Sequence, residues 1–336
     1  LGGSVFGALR AAFPVVRATP GPDTLLVAGL EGAAVTLDPA VVTKRFRDRR
    51  IAAEAFAPEL IPLLLEPANV ERIEAALDAA SRRVAPAHDD RPVSLLHALA
   101  RRQRETTSLV GRALGALGLI PAPLVVALVL LPTAAFALRS ITVGAPLRPA
   151  ALHGVAATGA GGMAVSFVLL LSYQAREGAL YGALGALTAS FMLGLAAGAA
   201  GAHRLTAAFR PRPARALAAT LLGTGCVFGG VSFVLPSLAR LSAAPPGVAL
   251  GTHGALLFLA GAATGALFPV AAGALLAAGD EAGTTAARFA SADHLGAAAA
   301  ALLSGVVLVP ALGMRATGLL ATTLVFLAAA GAARVR

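Results

Sequence analysis

The stretch from Gly178 to Arg204 constrains the fold of this chain more than any other part of it. It carries no Asp, Glu, Lys or Arg before Arg204, and roughly 20 apolar residues are enough for a helix to cross the hydrocarbon core of a bilayer. Gly178 and Gly182 are four residues apart, as are Gly194 and Gly198. Small residues at this spacing let two helices pack closely in lipid, so the stretch predicts a membrane-spanning helix whose Gly194 and Gly198 contact a neighbouring helix. We also expect this span to form a tight hairpin with the span before it, joined by the short turn Gln174–Gly178.

The composition of the whole chain agrees with a lipid environment. Hydrophobic residues make up 57% of the chain and charged residues 13%, whereas a soluble domain carries about 25% charged residues. The net charge of +10 comes almost entirely from arginines, and many of them lie between apolar spans. No basic patch interleaved with aromatic residues is present, so we expect the partner to be the lipid bilayer and no nucleic acid.

Hydropathy predicts seven spans, which in chain order are 119–138, 151–172, 179–201, 216–238, 247–278, 291–310 and 316–333. Lys and Arg in short loops favour the cytoplasmic side. If the last six spans begin and end inside, nine arginines lie inside and three outside. The inner ones are Arg139, Arg148, Arg204, Arg210, Arg212, Arg215, Arg288, Arg334 and Arg336, and the outer ones are Arg176, Arg240 and Arg315. Residues 151–336 are therefore predicted to form a six-helix, multi-pass domain of the cell (inner) membrane, similar to half of a major-facilitator-type bundle.

Residues 106–150 are predicted to be a linker that contains the first apolar segment. If 119–138 crosses the membrane once, everything before it lies outside, yet the basic run that ends at Arg112 favours the inside. A re-entrant segment or a hairpin broken at Pro121 and Pro123 resolves this conflict, and we prefer a two-leg arrangement over a single crossing.

Residues 1–105 have the pattern of a soluble α/β segment. Helices are predicted at Ser4–Ala12 and at Asn69–Val84, the second with apolar residues at helical spacing on one face. Short strands at Val15–Ala18 and Thr24–Ala28 flank a Pro-Gly-Pro-Asp turn, which predicts a hairpin. No glycine-rich loop follows a strand, so the pattern predicts no nucleotide site. The chain reads as if further sequence precedes it.

The soluble segment resembles a known family through three sequence blocks. These are LGGSVFGALRAAFPVVRATPGPDTLLVAG, LDPAVVTKRF and AHDDRPVSLLHAL, which are similar to the C-terminal third of the spermidine synthase (polyamine aminopropyltransferase) domain. More specifically, they resemble bacterial proteins in which this domain is fused to membrane spans. The family's closing motif is Asn-x-Asp-x-x-Pro. Asp89 and Pro92 match it, while Ala87 stands where Asn is usual.

The membrane part resembles the same fused family. Thr158–Ala199 is similar to the first helical hairpin of a membrane half, and Gly265–Pro269 and Ala290–Gly313 are similar to its last two blocks. Ser166 stands where the family often has Glu, so a path that depends on that Glu in relatives is in doubt here.

The resemblance implies a fold and two classes of function. The fold is mainly α: a polytopic helical membrane bundle preceded by a partial α/β segment of a spermidine synthase/methyltransferase-like domain. In the complete protein the resemblance implies aminopropyl transfer to a polyamine, with decarboxylated S-adenosylmethionine as cosubstrate. The family's cofactor loop and catalytic aspartates lie upstream and are absent from this chain, so no catalytic, cofactor-binding or metal residue is assigned and the chain alone is expected to be inactive. The alternative is a membrane transporter or binding protein for a polyamine or other small molecule, with a degenerate soluble domain.

Asp293 and His294 are the first candidate membrane-site residues. They lie at the start of the sixth predicted span, and an ionisable group at membrane depth usually marks a path or a binding partner. The alternative is a helix cap, in which Ser291 or Asp293 accepts hydrogen bonds from backbone N–H groups at the helix start. Of the two interpretations, we favour the helix cap.

Tyr173 and Gln174 are the second pair of candidates, at the end of the second predicted span. They are either interfacial anchors, which we favour, or ligands of a substrate. His153 and His253 lie near the starts of spans without carboxylates or cysteines in register. We therefore expect both histidines to be structural and not to bind a metal.

Overall fold

The computed structural model describes residues 1–21, 23–31, 34–50, 56–105, 108–109, 112–113, 116, 120–178, 181–209, 212–238 and 245–335. These residues divide into two compact units. The first comprises Leu1–His88 and Pro92–Ala98, and the second comprises Asp89–Arg91 and Leu99–Arg336. We describe the two units separately.

The N-terminal part of the chain contains five helices and a two-stranded sheet within the described residues. In order these are α1 (Gly2–Ala12), β1 (Val15–Ala18), β2 (Leu26–Gly29), α2 (Pro39–Asp48), α3 (Ile61–Leu64), α4 (Pro67–Ser81) and α5 (Val93–Glu105). The strands pair antiparallel, with Val15 opposite Gly29, so the predicted hairpin is confirmed. Both predicted helices are present as α1 and α4, whereas α2 and α5 were not predicted. A proline in the first turn and an Asp38 side chain that accepts a hydrogen bond from the Ala40 N–H fix the start of α2.

The second unit is built from long apolar helices. They are α6 (Ala122–Val143), α7 (Leu147–Glu177), α8 (Tyr181–Phe209), α9 (Pro213–Val234), α10 (Pro246–Ala277), α11 (Ala282–Leu303), the short α12 (Val309–Leu312) and α13 (Met314–Ala332). A π-helical turn, Ser304–Leu308, joins α11 to α12. Seven spans of the described residues, with α11 to α12 as one, are long and apolar enough to cross a membrane. The chain is therefore a multi-pass membrane protein of the helical-bundle class.

The first apolar segment forms one continuous helix from Ala122 to Val143. Pro121 is the N-cap of α6 and Pro123 lies in its first turn, where the missing N–H costs no helical hydrogen bond. This helix is long enough to cross the membrane by itself, and it is also compatible with the second leg of the preferred two-leg arrangement, which stays a prediction. The upstream part of that prediction includes 110–111, 114–115 and 117–119, which lie outside the described residues.

The packing of the six helices after α6 has an internal two-fold pattern. α7 packs mainly against α11, α13 and α10, while α10 packs mainly against α8, α9 and α7. If α7 is exchanged with α10, α8 with α11 and α9 with α13, the same helix pairs remain in contact. Two three-helix units related in this way have the arrangement of an inverted repeat. The consecutive helices α7 and α8 make few contacts, so the expected tight hairpin between them is wrong. α8 instead packs along α10.

The closest helix approach lies between α8 and α10. A Cβ atom built on Gly194 would lie 2.1 Å from the carbonyl oxygen of Phe258, and one built on Gly198 would lie 2.0 Å from that of Ala262. Only glycine lets the two backbones come this near, so the predicted contact of these two glycines with a neighbouring helix is confirmed. A Cβ atom on Gly182 would meet no atom within 4 Å. This glycine therefore makes no such contact.

Two pairings place several helix ends on one side of the bundle. The Arg148 guanidinium at the start of α7 binds the Asp280 carboxylate in the turn between α10 and α11, with Nε 2.9 Å from Oδ2. This hydrogen bond holds the pKa of Asp280 below its ordinary value. Ala145, before α7, forms a bridge with Val335, after α13. With α11 and α12 counted as one span, the chain crosses six times between the start of α7 and the end of α13. These two ends therefore lie on the same side, as an even number of crossings requires.

Candidate functional site

Asp293 lies in the middle of a spanning helix. It follows Ala282, the first residue of α11, by eleven residues, which is about 16 Å of helix. The N-cap of this helix is Glu281, so the Asp293 carboxylate cannot accept hydrogen bonds from the backbone N–H groups at the helix start. The favoured cap interpretation is therefore wrong. The sequence placed the start of this helix too late, because polar residues in its first turns lowered the hydropathy. Nine helical residues precede Ser291.

A glycine of α7 makes room for this carboxyl group. A Cβ atom built on Gly159 would lie 2.3 Å from Asp293 Oδ1 and 2.8 Å from the Asp293 carbonyl oxygen. One turn further along α11, a Cβ on Gly296 would lie 2.3 Å from the Ala156 carbonyl oxygen. The contact between α7 and α11 therefore depends on glycine on both sides, and it holds Asp293 beside the middle of α7.

Asp293 borders a cavity of about 240 Å³ to which α7, α8, α10 and α11 all contribute. Its walls are largely apolar, but two hydroxyl side chains join the carboxylate. Thr158 is 2% exposed, and its Oγ1 has no hydrogen-bond partner. Thr264 lies on the opposite helix, and its hydroxyl donates to the Ala260 carbonyl at 2.8 Å, which leaves its oxygen free to accept. We name this cavity, which Asp293, Thr158 and Thr264 line, the Asp293 cavity.

Little within the described part of the protein offsets the negative charge of the Asp293 carboxylate. Its one ion-pair partner among the described residues is His294, with Nδ1 3.7 Å from Oδ2, and the His294 side chain is 82% exposed. An ionised carboxylate at membrane depth is costly unless it is paired or protonated. The site therefore favours a bound cation or proton over an empty, ionised state.

Tyr173 does not lie at the surface of the bundle. It is 3% exposed and its ring meets that of His253 edge to face, with centroids 5.4 Å apart. His253 Nδ1 donates to the Ala249 carbonyl at 2.9 Å, and its Nε2 lies 3.4 Å from Ser172 Oγ. Arg176 donates to the same hydroxyl at 3.0 Å. The interfacial interpretation therefore does not describe Tyr173, while the hydrogen bonds and ring contact suit the structural role expected of His253.

The four sequence candidates do not form one site. Tyr173 and Gln174 lie fourteen or more residues beyond Gly159 on α7, about 21 Å along the helix, so they are remote from Asp293. Gln174 is half-buried, and its carbonyl oxygen accepts from the Gly178 N–H at the helix end. His294 is adjacent to Asp293 but is directed away from the cavity, as its exposure indicates. Of the four, Asp293 alone lines this cavity.

Two residues of the Asp293 cavity carried no signal in the sequence. Thr158 and Thr264 are isolated hydroxyl residues in Ala/Gly-rich helices, where most threonines donate to the carbonyl four residues earlier. Among the described residues, no three His, Cys, Asp or Glu side chains are grouped so that they could hold a metal ion. Comparisons with protein-family models, curated proteins and solved structures each find no match for this chain.

Proposed function

We propose that the membrane unit is a transporter or binding module that holds a small cationic solute in the Asp293 cavity. The observation that carries this proposal is a carboxylate in the middle of a spanning helix that opens into a cavity between four helices. Intramembrane carboxylates that face a cavity are typical of substrate, ion and proton paths. The inverted three-helix arrangement supports the same class, because such repeats place the binding site near mid-membrane between them.

A primary ammonium group is the cation that suits these ligands best. It has three N–H donors and no acceptor, and the residues that line the cavity include Asp293, Thr158 and Thr264, whose side-chain oxygens can accept hydrogen bonds. The apolar remainder of the wall suits a short methylene chain. A small aliphatic amine, such as a short polyamine, satisfies both features, and this agrees with the partner that the sequence resemblance implies.

Replacing the carboxylate tests the proposal. The purified chain in detergent would be titrated with radiolabelled putrescine, and we expect Asp293→Asn to bind it at least about tenfold more weakly. An ammonium–carboxylate hydrogen bond contributes about 1.5–3 kcal/mol, and the amide keeps the shape of the side chain but not its charge.

His294→Gln is the matched control, because it removes the neighbouring ionisable group without touching the cavity. We expect this variant to bind putrescine like the wild type. Equal binding by wild type and Asp293→Asn, in samples with the same melting temperature, would exclude the carboxylate as the amine ligand.

Aminopropyl transfer by a longer protein is the second candidate. It is supported by the three N-terminal blocks and by Asp89 and Pro92 in the closing motif. The family's cofactor loop and catalytic aspartates would be supplied by sequence upstream of this chain. We expect the chain alone to form no spermidine from putrescine and decarboxylated S-adenosylmethionine, measured by chromatography of the products. Turnover above that of a heat-denatured sample would contradict this expectation.

A further inference from the structure

A second cavity, separate from the Asp293 cavity, lies where α6, α7, α11 and α13 meet. It has a volume of about 290 Å³. Its walls are mostly alanine, leucine and glycine, including Leu128, Ala157, Leu303 and Leu320, and none of the described residues that line it is Asp, Glu, Lys or Arg. We name it the α6 cavity. A neutral, largely apolar molecule is the class of ligand that such walls can accept.

The α6 cavity is long for its volume. Along α7 its lining runs from His153 to Ala164, eleven residues, which corresponds to about 16 Å. Along α11 the lining runs from Gly296 to Ser304 and continues to Leu308. The helices α7 and α11 run in the same direction, because α11 is the fourth span after α7. The cavity is therefore a narrow channel that follows the helix axes, and its shape suits one extended chain.

Two residues that line this channel each carry a buried polar atom without a hydrogen-bond partner. Ser304 is fully buried and its Oγ has no hydrogen bond, and the same holds for Nε2 of the half-buried His153. The ring of His153 is held by stacking on Phe136 of α6, with centroids 4.7 Å apart. Buried polar atoms are nearly always paired, and the π-helical turn that begins at Ser304 is a feature frequently found at functional sites. The hydrogen-bonding capacity of both atoms is therefore unused within the described residues.

We propose that the α6 cavity binds a single oxygenated lipid chain from the bilayer. A carbonyl group of the lipid head accepts a hydrogen bond from His153, which lies six residues from the start of α7 and so near the membrane interface. The hydrocarbon chain fills the narrow apolar channel, and a hydroxyl group on the chain pairs with Ser304. The surrounding bilayer supplies such molecules, and α6 covers the channel on its outer side.

The absence of tryptophan from the chain allows a direct test. Leu128→Trp places a reporter at the wall of the α6 cavity, where the native side chain is 60% exposed. In the detergent-solubilised full chain, we expect methyl 9,10-dibromostearate to quench this reporter saturably. Methyl 12-hydroxystearate should displace the quencher at a roughly tenfold lower concentration than methyl stearate, as one added hydrogen bond can provide.

Three variants identify the site. Ser304→Ala should abolish the preference for the hydroxylated chain and leave saturable quenching in place. Ala299→Phe, at an exposed lining position, should obstruct the channel and abolish the saturable phase. Leu222→Trp, on α9 at 49% exposure and away from the α6 cavity, should show only non-saturating quenching. Identical non-saturating titrations for both reporters would overturn the proposal. A hydroxyl preference that survives Ser304→Ala would overturn the assignment of Ser304.

Discussion

Replacing Gly194 with leucine is expected to lower the melting temperature of the detergent-solubilised chain markedly. Even a single Cβ atom would lie 2.1 Å from the Phe258 carbonyl oxygen, so α8 and α10 would have to separate. Overpacking a core typically costs about 1–3 kcal/mol. We expect the loss here to reach the upper end of that range, because the obstacle is backbone, which cannot change rotamer. Tertiary melting followed by fluorescence of a thiol-reactive dye on Cys226 would measure it.

The matched control is Gly185→Leu on the same helix. Gly185 is exposed, and a Cβ atom there would meet no atom within 4 Å, so the added side chain enters lipid or detergent. Both variants lose one glycine and gain one leucine, and their helix propensities change equally. Ala183→Leu is a poorer control because Ala183 packs against the bundle core. Equal melting temperatures for Gly194→Leu and Gly185→Leu would contradict the contact between α8 and α10.

A cysteine in the turn between α10 and α11 is expected to be inaccessible from outside intact cells. Four arginines between Arg204 and Arg215 favour the cytoplasm, and this segment joins two spans on the same side as the α10–α11 turn. Arg210 and the side chain of Arg204 lie outside what the structure describes. The cysteine is therefore placed at Ala278, which is exposed at the end of α10, as the variant Ala278→Cys. In a Cys226→Ser background, an impermeant maleimide should label it only after permeabilisation.

The opposite side of the bundle supplies the control for this experiment. Tyr181 begins α8 and is 89% exposed, one crossing away from the Arg148–Asp280 pair. Tyr181→Cys should therefore react in intact cells without permeabilisation. Rapid labelling of Ala278→Cys and protection of Tyr181→Cys would invert the whole orientation, including the side assigned to Arg204–Arg215.

The sequence was informative wherever a local pattern has one physical meaning. Seven apolar stretches gave seven spans, because the bilayer thickness fixes how many apolar residues a helix needs. The turn after Ala18 gave the hairpin of β1 and β2, because turn residues between two β-branched runs act over a few residues. Helix boundaries were predicted less accurately. The helix α11 begins at Ala282 and not near Ser291, because Thr, Arg and Asp residues in its first half lower the local hydropathy.

The sequence by itself determined that this chain crosses a membrane repeatedly and that Gly194 and Gly198 serve a helix contact. Only the tertiary structure decided that their partner is α10 and not the preceding α7, and that Gly159 and Thr158 meet Asp293 from more than 130 residues away. The physical reason is that lipid is as apolar as the helices, so hydropathy does not say which helix faces which. That choice depends on close backbone approach and on shape, and both arise only when all the helices are packed together.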